Sequence, residues 1–413
     1  MSHAPARRLS AAEVSLPERH PLRKAGLVAA AAGALAVAAV LALAAGDPRQ
    51  ALASYLVAFL YWLSIALGGL FFNLAMLASR AGWCVVVRRL AEHLAGTLWL
   101  YALLFVPLAV GAAYVWPWWG GADPAADPIL AGKAGWLDPG FFWLRSAVYL
   151  AAWALLGWWF RRRSLAQDAS GDPGVTRRLQ ALAAPAILVY ALTQTFAAFD
   201  WIMSLDPLWY STIFGVYFFA GQAVAIFSLL ALLAMALERG GKAEGGERRP
   251  GPLAGVVTVE HYHDLGKLLF AFVVFWAYIA FSQFMLIWYA NIPEETVWYA
   301  HRLEHGWEGA TWALAIGHFV LPFFFLLPRG VKRKRSTLAA AAVWMLVVHY
   351  LDLYWLAMPA IHPEGFRPHL LDLVALLGIG GLALGALAFA LARPALVPIG
   401  DPRLPESLSF ENM

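Results

Sequence analysis

His349 and Asp352 stand three residues apart in the run His349-Tyr350-Leu351-Asp352-Leu353-Tyr354-Trp355. Residues i and i+3 share one face of a helix, so an imidazole and a carboxyl would meet there. The run sits in an apolar segment beginning near Leu338, with His349 about 17 Å along it. Ionisable groups inside a membrane span are costly and act as proton relays, ion sites or ligand contacts. The chemistry this pair offers is proton uptake and release. A His–Asp pair that only fixes helix packing is the alternative.

Further residues could join it. His318 falls in the outer half of another apolar segment. Asp200 closes the segment starting near Leu182, about 27 Å along it, among Phe199 and Trp201, with Gln194 deeper. Gln283 sits near the far end of the segment Leu265–Ala290, beside Ser282. Asp206 precedes Pro207 and also reads as a turn former. Arg145 could snorkel or pair with an acid. Gln194, Asp200, Gln283, His318, His349 and Asp352, with Asp206 beyond them, form a candidate outer-half proton path. Asn73, Gln222, His93 and Lys267 are the polar residues deeper in, too few for a continuous wire. His261 and His263 lack companions for a metal site, and no metal is expected.

These residues must be positioned by membrane helices. The chain has 413 residues, 61% hydrophobic and 14% charged, against about 25% charged in soluble domains. That composition excludes a soluble globular domain, and the net charge of +4 gives no sign of a nucleic-acid partner. The single Cys84 excludes an internal disulfide, a CxxCH haem attachment and a cysteine-ligated iron–sulfur cluster. A redox centre here would have to be non-covalent or histidine-held.

A span needs about 20 apolar residues. Ten segments qualify: Ala25–Ala45, Tyr55–Met76, Ala95–Trp116, Phe141–Phe160, Leu182–Trp201, Tyr210–Leu237, Leu265–Ala290, Thr311–Leu327, Leu338–Leu356 and Leu371–Leu391. The first has a signal peptide as rival reading, but it exceeds the usual h-region. Asp264 is read as the N-cap of the seventh segment and Pro293 as its end. With an inside N-terminus, the 30 lysines and arginines fall on the cytoplasmic side except Arg49, Lys133, Arg145, Arg302 and Arg367. A missed helix would invert every later loop and spoil this bias, so both termini are expected to be cytoplasmic. The layout is an arm over 1–24, a ten-helix all-α membrane domain over 25–391 and a tail over 392–413. Spans five and nine both end in an acid followed by aromatics, which suits two four-helix bundles, spans 2–5 and 6–9. The outer loops 117–140, 293–309 (with His301 and His305) and 359–369 (with His362 and His369) suit either a partner's base or interfacial anchoring. The tail is expected to lie extended, on the inner surface or against a neighbour.

Three stretches resemble a known family. They are FDWIMSLDPLWYSTIFG at 199–215, HDLGKLLFAFVVFWAYIAFSQFMLIWYANIPEET at 263–296 and HYLDLYWLAMP at 349–359. They are similar to the ActF membrane subunits of bacterial alternative complex III, within the NrfD/polysulfide-reductase-C-like group. The resemblance implies a multi-pass subunit of the bacterial cytoplasmic membrane, part of a quinol:cytochrome c or quinol:oxidase oxidoreductase. It implies as partners a sister quinol-binding membrane subunit, an iron–sulfur subunit, c-type haem subunits, small membrane subunits, lipid and a terminal oxidase. It further implies no redox centre in this chain, hence no haem or iron–sulfur cluster, with quinone or quinol as the candidate ligand. The rival readings are a quinol-binding catalytic subunit, a cytochrome with His318 and His349 on one haem, and a secondary transporter.

Overall fold

The computed structural model describes residues 9–17, 20–119, 127–240 and 250–412, which contain helices and no strand. Arg7, Arg8, Arg19, Lys242, Arg248 and Arg249, counted above as cytoplasmic, lie outside the described residues.

Ten helices are long and apolar enough to cross a membrane. They are α1 (Pro21–Leu43), α2 (Pro48–Ala78), α3 (Val85–Val110), α4 (Pro139–Ser170), α5 (Pro173–Leu205), α6 (Phe214–Glu238), α7 (Val259–Ala290), α8 (Glu308–Leu326), α9 (Arg335–Ala360) and α10 (Leu370–Leu391). The chain is therefore an all-α multi-pass membrane protein. Helix α2 packs against α3, α5, α6, α9 and α10, and α6 packs against α5, α7 and α9 as well, so these two helices form the centre of the assembly. Helices α1 and α10 pair with each other and rest on α2.

Two boundaries differ from the hydropathy reading. Helix α3 begins at Val85, ten residues before the apolar segment. Its first turns carry Arg88, Arg89, Glu92 and His93, all buried. Charges hide such a segment from a hydropathy window, but inside the protein they pair with one another. Helix α7 begins at Val259, not at Asp264. The Thr258 hydroxyl accepts from Glu260 N–H, and the His261 ring closes a capping box by accepting from Thr258 N–H at 3.0 Å. Asp264 lies inside the helix, paired with Lys267 at 2.5 Å. At the other end Asn291 takes the left-handed C-cap conformation, and Pro293 opens the next short helix, Pro293–Leu303.

Helices α1 and α10 approach closely through small residues, as membrane helices do. A Cβ on Gly381 would stand 2.4 Å from Ala29 O and 2.8 Å from Gly33 Cα. Gly381→Leu is expected to force the pair apart and lower stability by about 1–3 kcal/mol, as overpacking does. Thermal unfolding in detergent checks it, and an unchanged midpoint would refute the close packing.

The two chain ends meet on one face, where Leu396 N–H donates to Val14 O at 2.7 Å. An even number of spans requires this. The tail is folded onto its own chain. Asp401 pairs with Arg88 at 2.5 Å, and Ser407 Oγ donates to Trp83 O at 2.6 Å.

Candidate functional site

His349 and Asp352 lie on α9 and face inward, both buried. The Ser64 Oγ on α2 lies 2.8 Å from His349 Nε2. Ser64 has one hydroxyl hydrogen, and it is committed to Tyr61 O at 2.7 Å. With that hydrogen on Tyr61 O, Ser64 accepts from His349. Neutral His349 then carries Nε2–H, and its Nδ1 is an acceptor. Among the described residues Nδ1 has no hydrogen-bond partner, and it faces Asp352 Oδ2 at 4.0 Å. On α6, Gly221 makes the room, since a Cβ there would stand 2.8 Å from His349 Cε1.

Asp352 is held from two further helices. Tyr217 OH on α6 donates to Oδ1 at 2.6 Å, and Trp276 Nε1 on α7 donates to Oδ2 at 3.1 Å. Among the described residues it has no arginine or lysine partner. Two neutral donors can hold a carboxylate without the counter-charge that would pin it ionised. The group can thus exist with or without its proton.

His318 reaches the same place by a different device. Residues Ala315–Val320 of α8 form a π-helical turn, a feature frequent at functional sites. A π turn would bond Gly317 O to residue 322, but Pro322 has no N–H. The Trp344 indole supplies the donor to Gly317 O at 2.7 Å. His318 is turned inward and stacks on Trp276, with ring centroids 3.7 Å apart and planes 19° apart. Neither of its ring nitrogens has a hydrogen-bond partner among the described residues.

His318, His349 and Asp352 thus converge, their ligand atoms all within 4.8 Å of one another. The set could hold a proton or, by closing in, a cation. A Cβ on Gly221 would crowd His349, and the Trp276 ring stacks on His318.

The other sequence candidates lie elsewhere. Asp200 forms a bidentate ion pair with Arg145, Nε to Oδ2 and Nη2 to Oδ1 at 2.8 Å each. Tyr149 OH and Trp136 Nε1 also donate to it at 2.8 Å. Gln194 accepts from Gln222 Nε2 at 3.2 Å, and Gln222 in turn accepts from Tyr190 OH at 2.6 Å. Gln283 accepts from Ser211 Oγ at 2.9 Å and donates to Tyr299 OH at 3.1 Å. Asp206 lines an outer cleft of about 280 Å³ with Lys133 and Trp209.

The outer loops also carry structure. Arg302, in the helix Pro293–Leu303, is buried over the Trp298 ring at 3.4 Å and donates to Leu356 O at 2.8 Å. Burial lowers its pKa to about 9, with Asp206, Tyr299 and Tyr217 offsetting part of the effect. His369 caps α10. His362 contacts Gln50 Oε1 at 2.5 Å, Gln50 Nε2 donates to Ser54 at 2.9 Å, and Ser54 donates to Asp372 at 2.5 Å.

Sequence reasoning missed Ser64, Tyr217 and Trp276. Each lies in an apolar segment where serine, tyrosine and tryptophan are common, so only helix packing singles them out.

No family model and no curated protein matches this chain.

Proposed function

We propose that this chain is a membrane subunit of a bacterial respiratory quinol:cytochrome c or quinol:oxidase oxidoreductase, and that His349 and Asp352 hold and pass a proton. The motifs at 199–215, 263–296 and 349–359 support the assignment to such a complex, with its quinol-binding, iron–sulfur and c-type haem partners in the cytoplasmic membrane. One observation carries the proton role. A buried carboxyl held, among the described residues, by neutral donors alone lies 4.0 Å from an imidazole nitrogen without a partner among them.

The step is a transfer of one proton. Protonated Asp352 closes by about 1 Å to hydrogen-bond distance and gives its proton to His349 Nδ1. The imidazolium and carboxylate so formed sit side by side. Tyr217 and Trp276 hold the carboxylate, while the imidazolium keeps its Nε2–H on Ser64. Release from His349 and uptake of a new proton by Asp352 reset the site.

The test is quinol oxidation and proton movement in liposomes holding the purified complex. With Asp352→Asn or His349→Phe, electron transfer should persist while proton movement falls at least about tenfold, as loss of a proton-transfer group implies. If neither rate changes, the pair is packing and the proposal fails. One observation favours a second reading, a quinol site: the unpartnered nitrogens of His318 lie beside the Trp276 ring. Collapse of electron transfer in an assembled complex would establish that reading instead.

A further inference from the structure

The cytoplasmic ends of α4 and α5 bring four arginines together. Arg162, Arg163, Arg177 and Arg178 are all exposed. Elsewhere on this face Arg88 pairs with Asp401, Arg89 with Asp168, Arg333 with Glu260, Arg335 with Glu238 and Arg403 with Glu406, while Arg23, Arg80, Arg239, Arg329 and Arg393 have no carboxylate partner among the described residues and are spread over other helices and their ends. Among the described residues the four on α4 and α5 have no carboxylate partner. Arg161, next in sequence, turns inward instead and donates to His93 Nδ1 at 3.0 Å.

Between α4 and α5 lies a cleft of about 330 Å³. Trp159, Val175, Leu179 and Leu182 give it apolar walls, and Arg163 and Arg178 stand at it from the two helices. The Arg163 guanidinium lies over the Trp159 ring at 5.7 Å, and Arg162 over Trp158 at 5.1 Å. Helix α4 has 32 residues, about 48 Å at 1.5 Å per residue, so it outruns a hydrocarbon core of about 30 Å. Paired tryptophans followed by arginines mark where it leaves the inner leaflet. The cleft therefore sits at headgroup depth, with its apolar walls towards the acyl chains.

We propose that this cleft binds an anionic phospholipid of the inner leaflet. Its phosphate lies between Arg163 and Arg178, and one acyl chain runs along Leu179 and Leu182. The charge decides the class of ligand. Two uncompensated guanidiniums favour a phosphate bidentately, and a lipid without net negative charge would leave the local excess of four arginines uncancelled. The apolar walls decide between a lipid and a free phosphate, because only a lipid covers them.

The test is native mass spectrometry of the purified full chain. It is given phosphatidylglycerol, phosphatidylcholine or inorganic phosphate, for wild type, Arg163→Gln/Arg178→Gln and Arg163→Lys/Arg178→Lys. Wild type should retain phosphatidylglycerol over phosphatidylcholine. The glutamine pair should lose about 25-fold in retention, about fivefold per arginine, and the lysine pair should recover part of it. Arg329→Gln, on the short helix Arg329–Arg333 that packs against α7 and α9 and away from α4 and α5, should behave as wild type. Size-exclusion elution shows that each variant is folded. Equal retention of both lipids, or unchanged retention in the glutamine pair, overturns the proposal. Inorganic phosphate that binds wild type and displaces the lipid at equal concentration would show a headgroup-only anion site, and overturns the lipid assignment. None of these readouts depends on proton transfer, so this site and the His349–Asp352 site stand or fall separately.

Discussion

Asp200→Asn will cost the folded protein about 3–5 kcal/mol, the range for removing one partner of a buried ion pair. The cause is Arg145, which is buried and whose only carboxylate partner among the described residues is Asp200. With asparagine in place, the guanidinium keeps the Trp136 carbonyl at 2.9 Å and its stacking on the Trp136 and Phe141 rings. It loses its counter-charge, and the penalty of a buried uncompensated ion falls on the fold. Tyr149 OH donates to Oδ2 and Trp136 Nε1 to Oδ1, so the single oxygen of asparagine can serve only one of them, and that lost bond adds to the larger cost of the Arg145 charge.

The double variant Arg145→Met/Asp200→Leu should recover most of that stability, because it removes both charges together. Thermal unfolding of the purified protein reads these differences. The ratio of protons moved to quinol oxidised, in complexes that survive, should stay at the wild-type value for Asp200→Asn. A stable Asp200→Asn protein with lost proton movement would return Asp200 to the proton path and refute a purely structural role.

The second large effect belongs to the tail. Asp401→Ala should cost a comparable 3–5 kcal/mol or so, although its residue lies past the last span. Arg88 pairs with Asp401 at 2.5 Å and with Glu92 at 3.1 Å, and Glu92 also serves Arg89 at 3.0 Å. Arg89 reaches Asp168 at 2.9 Å, to which Gly400 N–H donates at 3.2 Å. Without Asp401, buried Arg88 keeps, among the described residues, only Glu92, a carboxylate it shares with Arg89. Ser407 adds a clamp, since Val86 N–H donates to its hydroxyl at 3.3 Å and its carbonyl lies 3.0 Å from His261 Nε2. Truncation after Arg393 should therefore be worse than the point change and prevent accumulation of folded protein. Arg88→Met/Asp401→Leu should lie closer to wild type than Asp401→Ala does. Fluorescence-detected size exclusion after heating ranks the three, and a truncated chain as heat-stable as wild type would refute the clamp.

The local part of this protein is legible in its sequence. Ten spans follow from hydropathy, because twenty apolar residues in a row have few alternatives to a helix in lipid. The shared face of His349 and Asp352 follows from a spacing of three. Both rest on interactions within one helix. The partners were not legible, because they come from other helices. Ser64 is 285 residues from His349 and Tyr217 is 135 from Asp352. Asp200 looked like His349 and Asp352 in sequence, an ionisable group among aromatics near the end of a span. Only the packing of α4 against α5 put an arginine 55 positions away onto one and none onto the other. The charged start of α3 and the folded tail were hidden for the same reason. Charges read as solvent-seeking until tertiary structure supplies their opposites, and in this protein that pairing separates the scaffold from the site.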